Sequence, residues 1–116
     1  MGYLEISELP SVALHRAATS HSFLAEFLQA TRRYDDAIDE YMEREQDECL
    51  TDRERGLVNL RLAECYQELL DQADSDDAVN LKDLLGASIE SALEYLKHEP
   101  EQVQALRLQE EFENSY

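Results

Sequence analysis

The chain has 116 residues, 43% of them hydrophobic, and carries 27 acidic against 10 basic side chains for a formal net charge of -17. That length suits one domain with a modest core, and a negative field in nearly every direction is expected to repel DNA, RNA and anionic membranes. Few residues are β-branched while Leu, Ala and Glu are frequent, so the composition points to an all-α fold.

Residues 1–10 hold Tyr3, Leu4, Ile6 and Leu9 between glutamates and end at Pro10, which reads as an N-terminal arm. Met1 and Gly2 fall one position short of a myristoylation signal, because Ile6 stands where Ser or Thr is needed. Ser11 is a good N-cap for a first helix reaching about Thr31, with Phe23, Leu24, Phe27 and Leu28 among its apolar residues. A single helical domain is expected over 11–113.

Arg32, Arg33 and Tyr34 form a short connection. Asp35 and Asp36 then open a second helix, where acidic side chains suit the positive end of the helix dipole. Its buried stripe is Ala37, Ile38, Tyr41 and Met42, and the charged run from Glu43 to Glu48 reads as its solvated end. Thr51 and Glu54 form a capping box that starts a third helix reaching about Asp71. Val58, Leu62, Cys65, Tyr66 and Leu69 make one stripe on that helix, and Leu57 and Leu60 lie on a neighbouring face with Glu64 and Gln67. Such a helix has either two packed neighbours or one neighbour and a ligand. Residues 71–77 are polar and acidic, which predicts a loop. A fourth helix to about His98 carries Leu81, Leu84, Leu85, Ile89, Ala92, Leu93 and Leu96. Pro100 fits the first turn of a fifth, with Val103, Leu106, Leu108 and Phe112.

Across these helices one pattern occurs twice. Leu24, Ala25, Leu28, Tyr34, Ala37, Ile38 and Tyr41 form the first copy, and Leu62, Ala63, Tyr66, Ser88, Ile89, Ala92 and Pro100 the second. A large, small, large apolar order on successive helices lets antiparallel helices nest closely. The two hairpins with Val103, Ala105 and Leu106 of the terminal helix resemble tetratricopeptide repeats over roughly residues 18–112. The resemblance implies a right-handed stack of hairpins with an acidic insertion in the second repeat, since 21 residues separate Tyr66 from Ser88 where the first unit has eight. The chain departs from the family where Arg32 replaces the usual glycine before the second helix, and where Arg44 and Tyr95 stand at positions that favour a small residue.

The resemblance also implies that helices one, three and five line a concave surface. Helical phase then assigns to it Thr19, Ser22, Glu26 and Gln29, then Leu57, Leu60, Glu64 and Gln67, and finally Gln102 and Gln109, with Leu57 and Leu60 as an apolar floor. Such a groove is expected to take a basic or amphipathic protein or peptide segment. Two and a half repeats leave exposed ends, so pairing with another chain, including a homo-oligomer, is open.

No Glu-x-x-His or His-x-x-x-His pair exists to hold a metal; His15 and His21, six residues apart, fall on different faces. The aspartates of 71–77 lack the glycine and closing glutamate of a calcium-binding hand, and there is neither a phosphate-binding glycine loop nor a nucleophile elbow. No catalytic residues, cofactor or metal are therefore expected. The chain does not open with a charged and then apolar leader, and Cys49 and Cys65 have no CxxC spacing, which fits a reducing cytoplasm. A non-enzymatic adaptor is the expected class, beside two alternatives: a small acidic chaperone that shields a client, or a structural subunit of a helical assembly. The acidity has two readings, attraction to a basic partner or solvation in a high-salt cytoplasm, the latter in keeping with only two lysines, Lys82 and Lys97, among the basic residues.

Overall fold

The structure, a computed structural model, describes residues 23–115; the arm at 1–10, the Ser11 cap, Thr19, Ser22 and the first two histidines lie outside them. The described residues form helices joined by short connections, with no strand among them. Helix α1 is described over 23–30, and α2 (Tyr34–Glu45), α3 (Asp52–Gln72), α4 (Ser75–Tyr95) and α5 (Gln102–Ser115) follow. Their shortest overall dimension, 19 Å, is that of two helices stacked face to face.

Each boundary has a local cause. α1 ends in a Schellman motif, in which Arg33 N–H donates to Leu28 O at 2.8 Å and Arg32 N–H to Gln29 O at 3.0 Å. Arg32 takes the left-handed conformation this motif demands, φ 65°, which is why glycine is the usual occupant. α2 stops where the guanidinium of Arg55 caps the carbonyls of Glu45 and Asp47. α3 begins at the expected capping box: Thr51 Oγ1 accepts the Glu54 N–H at 3.1 Å and the Glu54 carboxylate accepts the Thr51 N–H at 3.1 Å.

The acidic stretch 71–77 is mostly helix, not loop. Asp71 and Gln72 close α3, only Ala73 and Asp74 turn, and Ser75, Asp76 and Asp77 form the first turn of α4. Asp74 is its N-cap, with its carboxylate facing the Asp77 N–H at 3.4 Å, and the acidic first turn faces the positive dipole end. The extra residues of the second hairpin thus lengthen both of its helices to 21 residues, against 12 for α2. At the far end α4 stops at Tyr95, His98 adopts φ 73°, and Pro100 lies in the turn two residues before α5.

Burial follows the double pattern. Ala25, Leu28, Ala37, Ile38, Tyr41, Leu62, Ala63, Tyr66, Ser88, Ile89 and Ala92 are all buried, whereas Tyr34 is half-buried and Leu24 and Pro100 are exposed. One core cluster joins α1, α2, α3 and α4 through Ala25, Leu28, Ala37, Ile38, Tyr41, Leu62, Ala63, Tyr66 and Ile89 with Val58, Cys65, Leu70 and Leu85. A second joins α3, α4 and α5 through Leu60, Ala92, Leu96 and Ala105. α3 is the common element, packed against α2, α4 and α5, so the extra apolar residues on it serve neighbouring helices. Leu60 is fully buried among them, which removes it from the expected groove floor.

Candidate functional site

A cleft of about 650 Å³ lies between α1 and α3 and is lined by Glu26, Gln29, Ala30, Tyr34, Arg61, Glu64, Gln67 and Glu68. Four of the residues expected from the sequence therefore meet: Glu26, Gln29, Glu64 and Gln67. Helical spacing explains it, because 61, 64 and 68 fall on one face of α3 and 26, 29 and 30 on one face of α1.

A polar chain crosses the cleft. Tyr41 OH donates to Gln29 Oε1 at 2.8 Å, and Gln29 Nε2 donates to Glu64 Oε1 at 3.0 Å. Arg61 Nη1 donates to both Glu64 oxygens at 3.0 and 3.1 Å. The Gln29 amide thereby acts as both acceptor and donor. Burial pushes the Tyr41 hydroxyl well above its ordinary pKa, so it stays a donor. Burial opposes the Arg61 charge, but the hydrogen bond and charge of Glu64 outweigh it and hold the guanidinium above its ordinary value.

The sequence reading singled out neither Arg61 nor Tyr41 for this site. Arg61 shows its role only once α1 is placed opposite it, although an Arg three residues before a Glu on a helix was a legible sign of the pair. Glu26 and Glu68 make no hydrogen bond or ion pair among the described residues, and both are exposed. Lining the cleft are thus three carboxylates against one guanidinium.

A smaller cavity of about 120 Å³ continues toward the start of α3, lined by Glu26, Tyr41, Arg44, Glu54, Leu57, Val58 and Arg61. Glu26 and Arg61 belong to both spaces. Leu57, half-buried, is there an apolar wall, and Arg44 pairs with Glu54 at 3.4 Å. Beyond the other end, Gln67 Nε2 donates to Glu111 Oε2 at 3.1 Å, tying α5 to α3. Gln109 does not reach this face. It lines a separate hollow with Gly86, Ile89, Glu90, Phe112 and Glu113, between α4 and α5.

Among the described residues no group of three His, Cys, Asp or Glu side chains could hold a metal ion, and no helix is long and apolar enough to cross a membrane. Cys65 is buried, with its thiol pushed up to about 12 by desolvation, and Cys49 is exposed in the α2–α3 connection. Comparison of the chain with protein-family models, with curated proteins and with solved structures finds no match.

Proposed function

We propose that this protein is a non-enzymatic interaction module that holds a basic or amphipathic segment of another protein along the α1–α3 cleft. The observation that carries the reading is the meeting of Glu26, Gln29, Glu64 and Gln67 around one open space with a net negative lining. A tetratricopeptide-like right-handed stack is the architecture proposed with it, supported by the burial of eleven of the fourteen repeated positions. In that arrangement α1, α3 and α5 share the binding face, with Leu57 as the apolar contact and the carboxylates drawing cations.

Titration of isotopically labelled protein with a short amphipathic lysine peptide, and with its glutamate counterpart, tests this. Amide shifts at Glu26, Gln29, Glu64, Gln67 and Glu68 with the lysine peptide alone are expected. Shifts confined to other surfaces, or equal response to both peptides, would overturn the reading.

A second reading, permanent pairing with another chain, is favoured by one observation. Phe23 and Phe27 are 68% and 62% exposed on α1, beside exposed Leu24. Aromatic surface of that extent on one face is characteristic of interfaces. Sedimentation at increasing concentration, compared with a Phe23→Ser, Phe27→Ser variant, separates the two.

A further inference from the structure

Where α1, α2 and α3 converge, the cavity of about 120 Å³ at the start of α3 opens off the cleft, with Glu26 and Arg61 common to both. Its walls follow from helical phase: positions 54, 57, 58 and 61 fall on one face of α3, and 41 and 44 on one face of α2. Tyr41 and Val58 are buried and Leu57 is half-buried, so the apolar part of the lining is fixed by the core behind it.

The polar part makes few demands on a guest. Arg44, whose side chain is 11% exposed, pairs with Glu54 at 3.4 Å, and Glu54 also accepts from Thr51 in the capping box. Arg61 is held by Glu64, and the Tyr41 hydroxyl donates to Gln29. Of the charged groups lining the cavity, Glu26 alone makes no hydrogen bond or ion pair among the described residues, and it belongs equally to the cleft. A cation pushed inside would meet two guanidiniums and an anion two carboxylates, whereas an aliphatic group disturbs neither ion pair and covers Leu57 and Val58. Size narrows the choice further. A cavity of about 150 Å³ takes a benzene ring, so about 120 Å³ suits a branched aliphatic side chain, is too small for a phenyl ring and is left mostly unfilled by an alanine methyl.

We propose that this cavity is the anchor site of the cleft, seating one leucine-sized aliphatic side chain of the bound segment while the segment's cations stay outside it, at Glu26 and along the cleft. The inference rests on the proposed binding of basic segments and adds to it the identity of the apolar residue and the place it enters. Leu57, the least buried of the apolar walls, is then the residue that sets the size of side chain accepted.

The test uses three lysine-flanked peptides that differ only at one central position, alanine, leucine or phenylalanine, titrated by NMR into wild type and into Leu57→Ala after a thermal melt shows that the variant folds. Each carbon buried is worth roughly a factor of four in affinity and leucine has three more than alanine, so wild type is expected to bind the leucine peptide at least about tenfold more tightly. The phenylalanine peptide should gain no more than about threefold over alanine, because its ring overfills the cavity. An open apolar surface, such as that around Phe23 and Phe27, would instead favour the larger phenylalanine. Leu57→Ala, by widening the cavity, is expected to bring phenylalanine level with leucine or above it, and Glu26→Gln to weaken all three peptides alike while keeping their order. Should Leu57→Ala unfold, intermolecular NOEs in wild type decide: contacts of the peptide leucine methyls with the Tyr41 ring and the Leu57 and Val58 methyls support the anchor, and contacts elsewhere overturn it. Leucine bound no better than alanine or phenylalanine by wild type, or an order unmoved by Leu57→Ala, overturns the anchor site and leaves the proposed function standing. Binding of no peptide overturns both.

Discussion

An ideal Cβ on Gly56 would lie 2.9 Å from the Cβ of Tyr95 and 2.7 Å from Cγ of Leu96, so the start of α3 and the end of α4 touch where only glycine fits. This contact resolves the oddity of Tyr95: the large residue sits where a small one is commoner, and the small one stands opposite it. Gly56→Ala is expected to destabilise the fold by about 1–3 kcal/mol, the usual cost of overpacking, read as a lower urea midpoint. Gly86 is the control. Its added Cβ would sit 3.4 Å from the edge of the Phe112 ring, a contact bordering on the ordinary range. Gly86→Ala is therefore expected to be neutral or to stabilise α4 by up to about 1 kcal/mol through helix propensity.

Arg32 and His98 hold left-handed backbone at φ 65° and 73° without being glycine. A left-handed residue costs about 1–2 kcal/mol, and glycine returns about half of that relief as extra freedom in the unfolded chain. Arg32→Gly and His98→Gly should each raise stability by about 0.5–1 kcal/mol, and their effects should add because they lie at different helix ends. A fall in melting temperature for Arg32→Gly would contradict the Schellman assignment.

The two thiols should behave oppositely. Cys49 is exposed and Cys65 is buried, so a chromogenic thiol reagent at pH 8 is expected to label one cysteine per folded chain and two in denaturant. The same burial sets a pH dependence. The Cys65 pKa is raised from 9.0 to about 12 on folding and that of Tyr41 is raised from 10.0, so both groups contribute stability below pH 9 that is lost as pH climbs through the folded values. Urea midpoints should be insensitive to these groups up to about pH 9 and fall above it. Cys65→Ala should flatten the part of that fall beginning at pH 9.

Tyr41→Phe removes the donor to Gln29 while leaving the ring in place. A loss of about 0.5–1.5 kcal/mol is expected, as for one partly buried hydrogen bond. If Gln29 relays the interaction to Glu64, a double-mutant cycle between Tyr41→Phe and Glu64→Gln should show coupling near 0.5 kcal/mol or more. Strict additivity would mean that the three side chains act independently.

The helical hairpins were legible because their signals are local. The Thr51 and Glu54 box and the apolar spacing around Ala37, Tyr41, Ala63 and Tyr66 depend only on residues within a turn or two. The 71–77 stretch misled because aspartates serve both loops and helix N-termini; the Asp74-x-x-Asp77 spacing held the cap signal. Leu60 and Gln109 were misplaced for another reason. Their surroundings depend on how α5 meets α3 and α4, a long-range contact through Ala105 that no local pattern encodes. The candidate cleft was half legible: phase brought Glu26, Gln29, Glu64 and Gln67 together, but the charge carried by Arg61 became visible only in three dimensions.

From α2 to α5, helix contacts run mostly between neighbours along the chain, with a smaller contact of α3 against α5, and α1 meets α3 across the cleft. Such a topology closes short loops first and should fold quickly, on a microsecond to millisecond scale. It also lets the molecule open from one end. α5 buries only Ala105 completely and reaches the cleft side through the exposed Gln67–Glu111 bond, so its amides should exchange with solvent at lower free energy than those of α3. Transient detachment of α5 would bare Leu60, Ala92 and Leu96, turning the buried second cluster for a moment into a sticky edge.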